Sequence, residues 1–472
     1  MAEVLECDVC VIGAGAAGLS VAVGAVQLGA RTVLFEKGEM GGDCLNYGCV
    51  PSKALLAAAH AAQTVRDARR FGLRCAEPQV DFPAVMTHVR EVIEQIAPHD
   101  SVERLEGLGV RVVRAAAAFS GPNEVSGGAL RVRARRIVIA TGSSAVIPPV
   151  PGLSDVAVLT NQTLFTLQER PAHLLILGGG PVGVEMAQAF RRLGSAVTVF
   201  EQGRLLARDE PQFARVLAER LASEGVTLHQ NAQVTRVARA ADGIVVTFGE
   251  GREVRGSHLL VAAGRRPQLR ELALERAGVE HTGEGITVDA RLRTTNGRVY
   301  ALGDVIGRPQ FTHSAGYQAG IVIRNALFRL PAKVDYRALP WVTYTDPELA
   351  HVGLTEAEAR ERLGPSVQIV RADFAHNDRV RAERQTDGAI KVVTDRRGTV
   401  LGVDILGPHA GELIGLWSLA ITRGLKLSAL TGMILPYPTR AEISKAAASA
   451  FYVPKLFSPW PKRMVRLLLA VS

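Results

Sequence analysis

The chain has 472 residues, 47% of them hydrophobic and 5% aromatic, with a formal charge of +9. Such a length carries about three domains with sizeable cores, and five cysteines across it are too few for a secreted disulfide framework. The basic residues are scattered (Arg131 to Arg136, Arg265-Arg266, Arg379 to Arg384) and lack an aromatic-basic platform, which argues against nucleic acid and for solvated faces with an affinity for anionic cofactors.

The N-terminus, Met1 to Glu6, has neither a basic region nor a long apolar segment, so no signal peptide is expected. No run of about eighteen apolar residues follows, so no spanning helix is expected. These readings point to a reducing cytoplasm, where a disulfide is catalytic more often than structural. The first strong pattern is Asp8-Val-Cys-Val-Ile-Gly13-Ala-Gly15-Ala-Ala-Gly18, an apolar strand that ends in glycines and opens a small-residue helix. In such a turn the first glycine allows the tight bend and the second lets backbone approach a pyrophosphate. The third packs helix on strand, leaving the helix N-terminus to hold phosphates. Glu36 closes a second strand, Val33-Leu-Phe-Glu, 23 residues after Gly13, where a carboxylate accepts hydrogen bonds from a ribose. Cys7 and Cys10 have CxxC spacing but lie in or beside the first strand, so core packing is expected of them.

Cys44 and Cys49 follow directly, in Gly41-Gly-Asp-Cys44-Leu-Asn-Tyr-Gly48-Cys49-Val-Pro51-Ser-Lys53. Five residues of regular helix would separate their Cα atoms by ~7.5 Å, too far for a disulfide. Gly41, Gly42 and Gly48 give the backbone freedom to bring the sulfurs together. Pro51 suits a first helical turn, which puts Cys49 near a helix N-terminus where the dipole and Lys53 favour a thiolate. For CxxxxC alone two buried structural cysteines would be the better reading; the glycines, Pro51 and Lys53 turn it toward a redox-active pair. Cys75 stands alone and is expected to be structural.

The nucleotide pattern then recurs at an offset of 165 residues. Leu174-Leu-Ile-Leu-Gly178-Gly-Gly180-Pro-Val-Gly183 repeats the strand, glycines and helix, and Glu201 again follows 23 residues later, in Val197-Thr-Val-Phe-Glu. A lone GxGxxG is weak evidence, but strand, glycines, helix and acid recurring together are strong. Two dinucleotide sites and one thiol pair suggest electron flow from a nicotinamide to FAD to a dithiol.

With these motifs the chain closely resembles the pyridine nucleotide-disulfide oxidoreductases, the family of dihydrolipoamide dehydrogenase, glutathione reductase and mercuric reductase. The resemblance runs from about Asp8 to about Ala450. It rests also on Ile139-Ala-Thr141-Gly142, Ala262-Ala-Gly264-Arg-Arg-Pro267, Tyr300-Ala-Leu-Gly303-Asp304 and Tyr344-Thr-Asp346-Pro-Glu348-Leu-Ala-His-Val-Gly353. It implies an α/β fold with two Rossmann-like dinucleotide-binding domains, for FAD and NAD(P)H, and a C-terminal α+β dimerisation domain. The expected order is FAD binding in 1–155, NAD(P)H binding in 156–281, FAD binding resumed in 282–338, an interface domain in 339–450 and a basic amphipathic tail in 451–472. By the same resemblance Gly13, Gly15, Gly18 and Glu36 hold the ADP half of FAD, Ala117 touches the adenine, Asp304 binds the ribityl chain, and Thr141 and Gly142 belong to the cofactor site. Gly178, Gly180, Gly183, Glu201 and Gly264 bind the nicotinamide dinucleotide. NADH is expected over NADPH, since Glu201 would repel a 2′-phosphate; Arg204 and Arg208 nearby could partly rescue NADPH. Cys49 is implied to face the flavin and Cys44 the substrate, with Lys53 and Glu185 paired beside the flavin N5. From the residues alone, Lys53 and Glu185 could be any helix-surface pair. Because the C-terminal motif would complete the partner's active site, a homodimer is expected.

The run Leu435-Pro436-Tyr437-Pro438-Thr439-Arg440-Ala441-Glu442 departs from the His-Pro-Thr-x-x-Glu that the resemblance implies from dihydrolipoamide dehydrogenase and glutathione reductase: Tyr437 stands where the histidine would, and Glu442 remains. A tyrosine here is similar to mercuric reductase. Against that, the FAD fingerprint begins almost at residue 8 with no metal-carrying domain ahead of it, and the C-terminal Leu-Leu-Leu-Ala-Val-Ser offers no vicinal cysteines, which puts Hg²⁺ as substrate in doubt. His60, His313, His376 and His409 are single histidines, and no metal site is expected of them. The tail sets Lys455, Lys462, Arg463 and Arg466, unopposed by any acid, beside Trp460 and a leucine triplet. It suits a membrane-surface helix or a partner-docking segment, or equally a tail packed on its own subunit or dimer mate. The expected activity is transfer of electrons from NADH through FAD to Cys44-Cys49 and on to a disulfide, metal or other small acceptor. Dihydrolipoamide dehydrogenase is the alternative within the class, and a flavin-bound redox sensor or membrane-docked scaffold the alternative outside it.

Overall fold

The computed structural model describes residues 3–241 and 243–471, so Met1, Ala2 and Ser472, the last residue of the expected tail, lie outside the described residues. Strand β1 (Glu3–Ile12) buries Val9, Cys10, Val11 and Ile12 in succession, the signature of a strand covered on both faces. It runs parallel to β2 (Thr32–Phe35), with Cys10 opposite Val33, and on its other side to Leu130–Ile139, with Cys10 opposite Ile137. Cys7 and Cys10 are therefore core residues, as their strand position predicts. Burial pushes the Cys7 thiol up to about 12 and Cys10 well above its ordinary value, which leaves both inert. Cys75 is different: Gly72, at φ +83°, ends the preceding turn of helix, and Cys75 lies exposed in the irregular stretch beyond it rather than in a core.

Around β1 the sheet has the order Val110–Val113, β2, β1, Leu130–Ile139, Glu124–Gly127, Ala117–Gly121, and Val299–Ala301 also pairs with Leu130–Ile139. Helix α1 (Ala16–Gln27) crosses between β1 and β2 and packs on helix Thr312–Ala326 through small residues; a Cβ on Gly24 would meet Ile323 at 2.4 Å. A second sheet is four parallel strands in the order Val226–His229, Ala196–Phe200, His173–Leu177, His258–Val261, beside an antiparallel ribbon of Val234–Ala240, Gly243–Phe248 and Arg252–Gly256. Both sheets belong to one compact unit, which runs to Gln202 and includes Gly225–Val334, and within it Ser143–Ala145 pairs with Arg265–Pro267. No helix among the described residues is long and apolar enough to cross a membrane.

A second compact unit takes Gly203–Glu224 and everything from Asp335. Its five-stranded antiparallel sheet has the order Pro340–Thr343, Glu348–Gly353, Val400–Gly407, Ala389–Thr394, Gln368–Asp373, and helices Ala410–Thr422 and Glu442–Ala450 pack on it around the buried Trp417. At the sheet's centre His351 Nδ1 lies 2.6 Å from Asp404 Oδ1 and Nε2 donates to the Gly353 carbonyl at 3.0 Å, with Trp341 stacked on the ring at 4.1 Å. Burial disfavours charge on His351. The Asp404 carboxylate and the Gly353 carbonyl outweigh it and raise the imidazole above its ordinary value. The native value lies above the unfolded ~6.5, so this pair stabilises fully below ~6.5 and the contribution is lost as pH rises through the native value. His351→Leu is expected to strand a buried carboxylate at a cost of about 3–5 kcal/mol. Removing both partners should cost less. Denaturation midpoints at fixed protein concentration test this, and a double variant no better than His351→Leu refutes it.

Candidate active site

Two helices, not one, carry the central cysteines. Helix α2 (Gly42–Tyr47) holds Cys44, and helix α3 (Cys49–Asp67) begins at Cys49. The break falls at Gly48, with φ −129° and ψ −111°, where a Cβ would sit 3.0 Å from the Asp43 carbonyl and 3.3 Å from Cys44 Cα. That close approach replaces the rise of a continuous helix and brings the two thiols into hydrogen-bonding contact. Cys49 lies at the positive end of a 19-residue helix. Its sulfur is 3.5 Å from Thr312 Oγ1, at the start of the helix on which α1 packs. The Cys44 hydrogen bond, then Thr312 and the Lys53 charge, prevail over burial and Glu185 and lower Cys49 to about 6. The same hydrogen bond, with burial and the Cys49 charge, pushes Cys44 far up. One sulfur is thus a thiolate near neutrality and the other its proton donor. Cys49 is exposed and Cys44 half-buried.

Lys53, one turn into α3, forms an ion pair with Glu185 of helix Pro181–Arg192 at 2.9 Å. Glu185 is only 5% exposed. The sequence left a solvated surface pair open for these two; the structure makes the acid a buried one, held between the thiol helix and the second fingerprint helix.

The two glycine fingerprints superimpose in their physical requirements. Gly13 and Gly178 have φ of +105° and +113°, and a Cβ on either would strike the carbonyl of Ala140 or Ala262 at 2.4 Å. A Cβ on Gly18 or Gly183 would strike the carbonyl of Gly13 or Gly178 at 1.8 or 2.0 Å. The middle glycines face open space: nothing lies within 4 Å of a Cβ on Gly180, and Gly15 meets only Gly42 Cα at 4.0 Å. Neither following helix is capped by a side chain, so the first-turn N–H groups point into that space. This fits a pyrophosphate in both copies. The acids follow suit. Glu36 accepts the N–H of Ala14 and of Gly38, each at 2.6 Å, and Glu201 accepts the N–H of Gly179 at 2.7 Å. Each carboxylate is held at the rim of its own glycine turn.

The remaining expected cofactor residues fall around these turns. Thr141 Oγ1 donates to the Gln268 carbonyl at 2.8 Å, and Gly142 and Gly264 adopt positive φ with open space where a Cβ would be. Asp304 accepts from Ser143 Oγ at 2.5 Å, and Arg265 Nε donates to that same hydroxyl at 2.7 Å. Burial keeps the Asp304 carboxyl above the usual range despite these partners. The second guanidinium nitrogen of Arg265 pairs with Asp43, the neighbour of Cys44, at 3.0 Å. Ala117 opens strand Ala117–Gly121 with its methyl buried in the core, so any contact with a ligand runs through its backbone. Thr312 and Ser143 carry no motif of their own in the sequence; Asp43 and Arg265 lie inside the runs Gly41 to Lys53 and Ala262 to Pro267 and were available there.

In the second unit Tyr437 is 72% exposed and its hydroxyl donates to Asp378 at 2.9 Å. That hydrogen bond and the Asp378 charge, with a smaller push from Glu442, raise the phenol above its ordinary value. Glu442 begins helix Glu442–Ala450 and accepts the Thr439 N–H at 3.1 Å. Among the described residues no group of three or more His, Cys, Asp or Glu side chains is placed to hold a metal ion.

The family described as pyridine nucleotide-disulphide oxidoreductase matches residues 7–319, and the dimerisation domain of that family matches residues 339–448. The chain is 40% identical over 456 residues to a mercuric reductase from Streptomyces lividans, covering 94% of this chain and 96% of that protein. It is 34% identical over 455 residues to a dihydrolipoyl dehydrogenase from Geobacillus stearothermophilus, with 94% and 96% covered. Among solved structures, the HOCl-induced flavoprotein disulfide reductase RclA from Escherichia coli aligns with a TM-score of 0.85 at 30% identity, over 94% of this chain and 99% of that one, and it has also been solved as a Cu(II) complex.

Proposed function

We propose that this chain, which belongs to the pyridine nucleotide-disulphide oxidoreductase family, works in the reducing direction and delivers electrons from NADH to a small disulfide or a thiophilic metal ion. The family is FAD-dependent and uses a pyridine nucleotide, and its dimerisation domain at 339–448 supports a homodimer. Gly13, Gly15, Gly18, Glu36 and Asp304 would hold FAD, and Gly178, Gly180, Gly183 and Glu201 the nicotinamide dinucleotide, which when bound would supply hydride and electron transfer.

What the chain's own residues do follows from the site. Two electrons and one proton open the Cys44-Cys49 disulfide, leaving Cys49 as thiolate and Cys44 as thiol. Lys53, oriented by its ion pair with Glu185, would place a positive charge beside the isoalloxazine of a bound FAD. With a disulfide acceptor, Cys44 passes its proton to the Cys49 thiolate and attacks one sulfur; the other sulfur leaves and takes that proton, and Cys49, again a thiolate, displaces the second sulfur from the mixed disulfide as a thiolate that solvent protonates, which restores the bridge. With a metal ion, Cys44 releases its proton to solvent and the two thiolates ligate the ion; the pair is oxidised back to the disulfide by two electrons, taken by one Hg²⁺ or by two Cu²⁺ ions that each become Cu⁺. Tyr437 and Glu442 serve the thiol pair of the other subunit.

The observation that argues against a dihydrolipoamide-oxidising role is Tyr437. Its phenol is bound to Asp378 and shifted upward, the wrong direction for a base that must take a thiol proton near neutrality. The Streptomyces relative is a mercuric reductase and the Escherichia coli neighbour binds Cu(II), which supports metal ions beside disulfides as acceptors. The test is NADH oxidation by the holoenzyme across lipoamide, small disulfides, Hg²⁺, Cu²⁺, quinones and oxygen. Turnover with at least one disulfide or metal acceptor is expected. Intact flavin reduced by NADH with no acceptor turnover at all would instead indicate a redox sensor.

NADH is expected to exceed NADPH in kcat/KM by at least about tenfold, equivalent to about 1.4 kcal/mol. Glu201 would repel a 2′-phosphate. Arg204 donates instead to the carbonyls of Ala207 and Asp209, and Arg208 lies over the Trp341 ring. A higher kcat/KM for NADPH would overturn the assignment.

A further inference from the structure

The family match ends at residue 448, yet the chain continues through a short helix, Val453–Leu456, into a second one of 13 residues, Pro459–Val471. At 100° per residue Trp460, Met464, Leu467 and Leu468 gather on one face, and Lys462, Arg463 and Arg466 on the other. Trp460, Leu467 and Leu468 on that face are 63 to 70% exposed, whereas Ile443, Ala447 and Ala448 of helix Glu442–Ala450 are buried. Such a face is too apolar to be left in water without a covering surface.

We propose that Pro459–Val471 is an interfacial helix that docks the enzyme on an anionic lipid bilayer, lying in the headgroup plane with its leucine and tryptophan side down. Its charge selects the occupant. From Phe451 onward the chain carries Lys455, Lys462, Arg463 and Arg466 and no acidic residue. A second copy of a chain that is itself +9 offers such a helix poor complementarity, whereas anionic lipid gains from every basic residue near its surface. At 13 residues the helix measures ~20 Å, too short to span a bilayer and suited to lying on one. Trp460 sits at the helix start, with the amphipathic ring that favours the membrane–water boundary.

The experiment uses the full-length FAD-loaded enzyme with vesicles of phosphatidylcholine alone or mixed with phosphatidylglycerol. Co-sedimentation with the mixed vesicles, weakening as salt rises, and a blue shift of the exposed Trp460 emission are expected, with neither on phosphatidylcholine alone. Each basic residue near an anionic surface is worth roughly fivefold in affinity, so Lys462→Gln/Arg463→Gln/Arg466→Gln should lower vesicle affinity about a hundredfold. Leu467→Ser/Leu468→Ser should lose the emission shift. Both variants should keep dimer mass and NADH turnover in solution. Absence of vesicle binding by the unmodified enzyme, equal binding by the variants, or conversion of either variant to monomer would overturn the proposal, the last by making the helix a subunit contact.

Discussion

Cys49→Ser is expected to stop acceptor-dependent NADH oxidation entirely, while the variant still folds, binds FAD and has its flavin reduced by NADH. Cys49 Sγ is the sulfur lowered to about 6, so it is the thiolate of the reduced pair and the group able to return the bridge to the oxidised state. Two-electron reduction of the unmodified enzyme should give long-wavelength absorbance from that thiolate against the flavin, and Cys49→Ser should lack it. The sign with pH is fixed by the direction of the shift: the thiolate exists above its pKa, so the band persists at neutral pH and fades as pH falls through about 6. In Cys44→Ser the band should be present without any reductant. Because the Cys44 hydrogen bond is the largest cause of the lowering, its midpoint should move up toward the ordinary thiol value of ~8.5. If Cys44→Ser shows no band at any pH the protein tolerates, the two sulfurs have been assigned the wrong way round.

Oxidation of dihydrolipoamide at pH 7 should be slow by a factor of ~10²–10⁴, the usual contribution of a positioned general base. Reduction of the flavin by NADH, which needs no such base, should stay fast. The phenol of Tyr437 cannot accept a thiol proton near neutrality, and Asp378 holds it further from doing so. Rates in the thiol-oxidising direction are accordingly expected to climb well above neutral pH. The carboxylate that handicaps a phenol would suit an imidazole, orienting it and raising its basicity, so Tyr437→His should recover part of the deficit. Arg440, the neighbour most able to disturb a new ring, is held by Glu383 at 2.5 Å. Stopped-flow flavin reduction set beside steady-state dihydrolipoamide turnover decides the matter; efficient turnover by the unmodified protein at pH 7 would make it a dihydrolipoyl dehydrogenase.

Much of this was legible in the sequence because sterics leave few choices at the positions concerned. Gly13, Gly18, Gly178 and Gly183 sit where a Cβ would strike backbone carbonyls, so their spacing alone announces the turn and its duplication. Cys7 and Cys10 were placed by strand position, and Cys44 and Cys49 by the glycines around them. The burial of the Lys53–Glu185 pair was not legible, since the two residues lie on helices far apart in the chain and either could have been solvated. Thr312, Ser143 and Asp378 escaped for a related reason: a single hydroxyl or carboxylate has no signature until folding brings it to its partner. Cys75 misled because one cysteine without a pattern says nothing about burial. Tyr437 was recognised as a departure, but the departure's strength lies in Asp378, 59 residues away.

The contact between Gly42 and Gly15 has a consequence beyond geometry. A Cβ on Gly42 would lie 2.7 Å from Gly15 Cα, and Gly41 N–H is bonded to the Ala14 carbonyl at 3.0 Å, so the phosphate turn and the start of the thiol helix are one piece of backbone mechanics. Binding energies transmitted through a shared element are reciprocal. Whatever ordering a dinucleotide imposes on the turn is felt as a bias on the cysteines, and the redox state of the cysteines must return an equal bias to the grip on the dinucleotide.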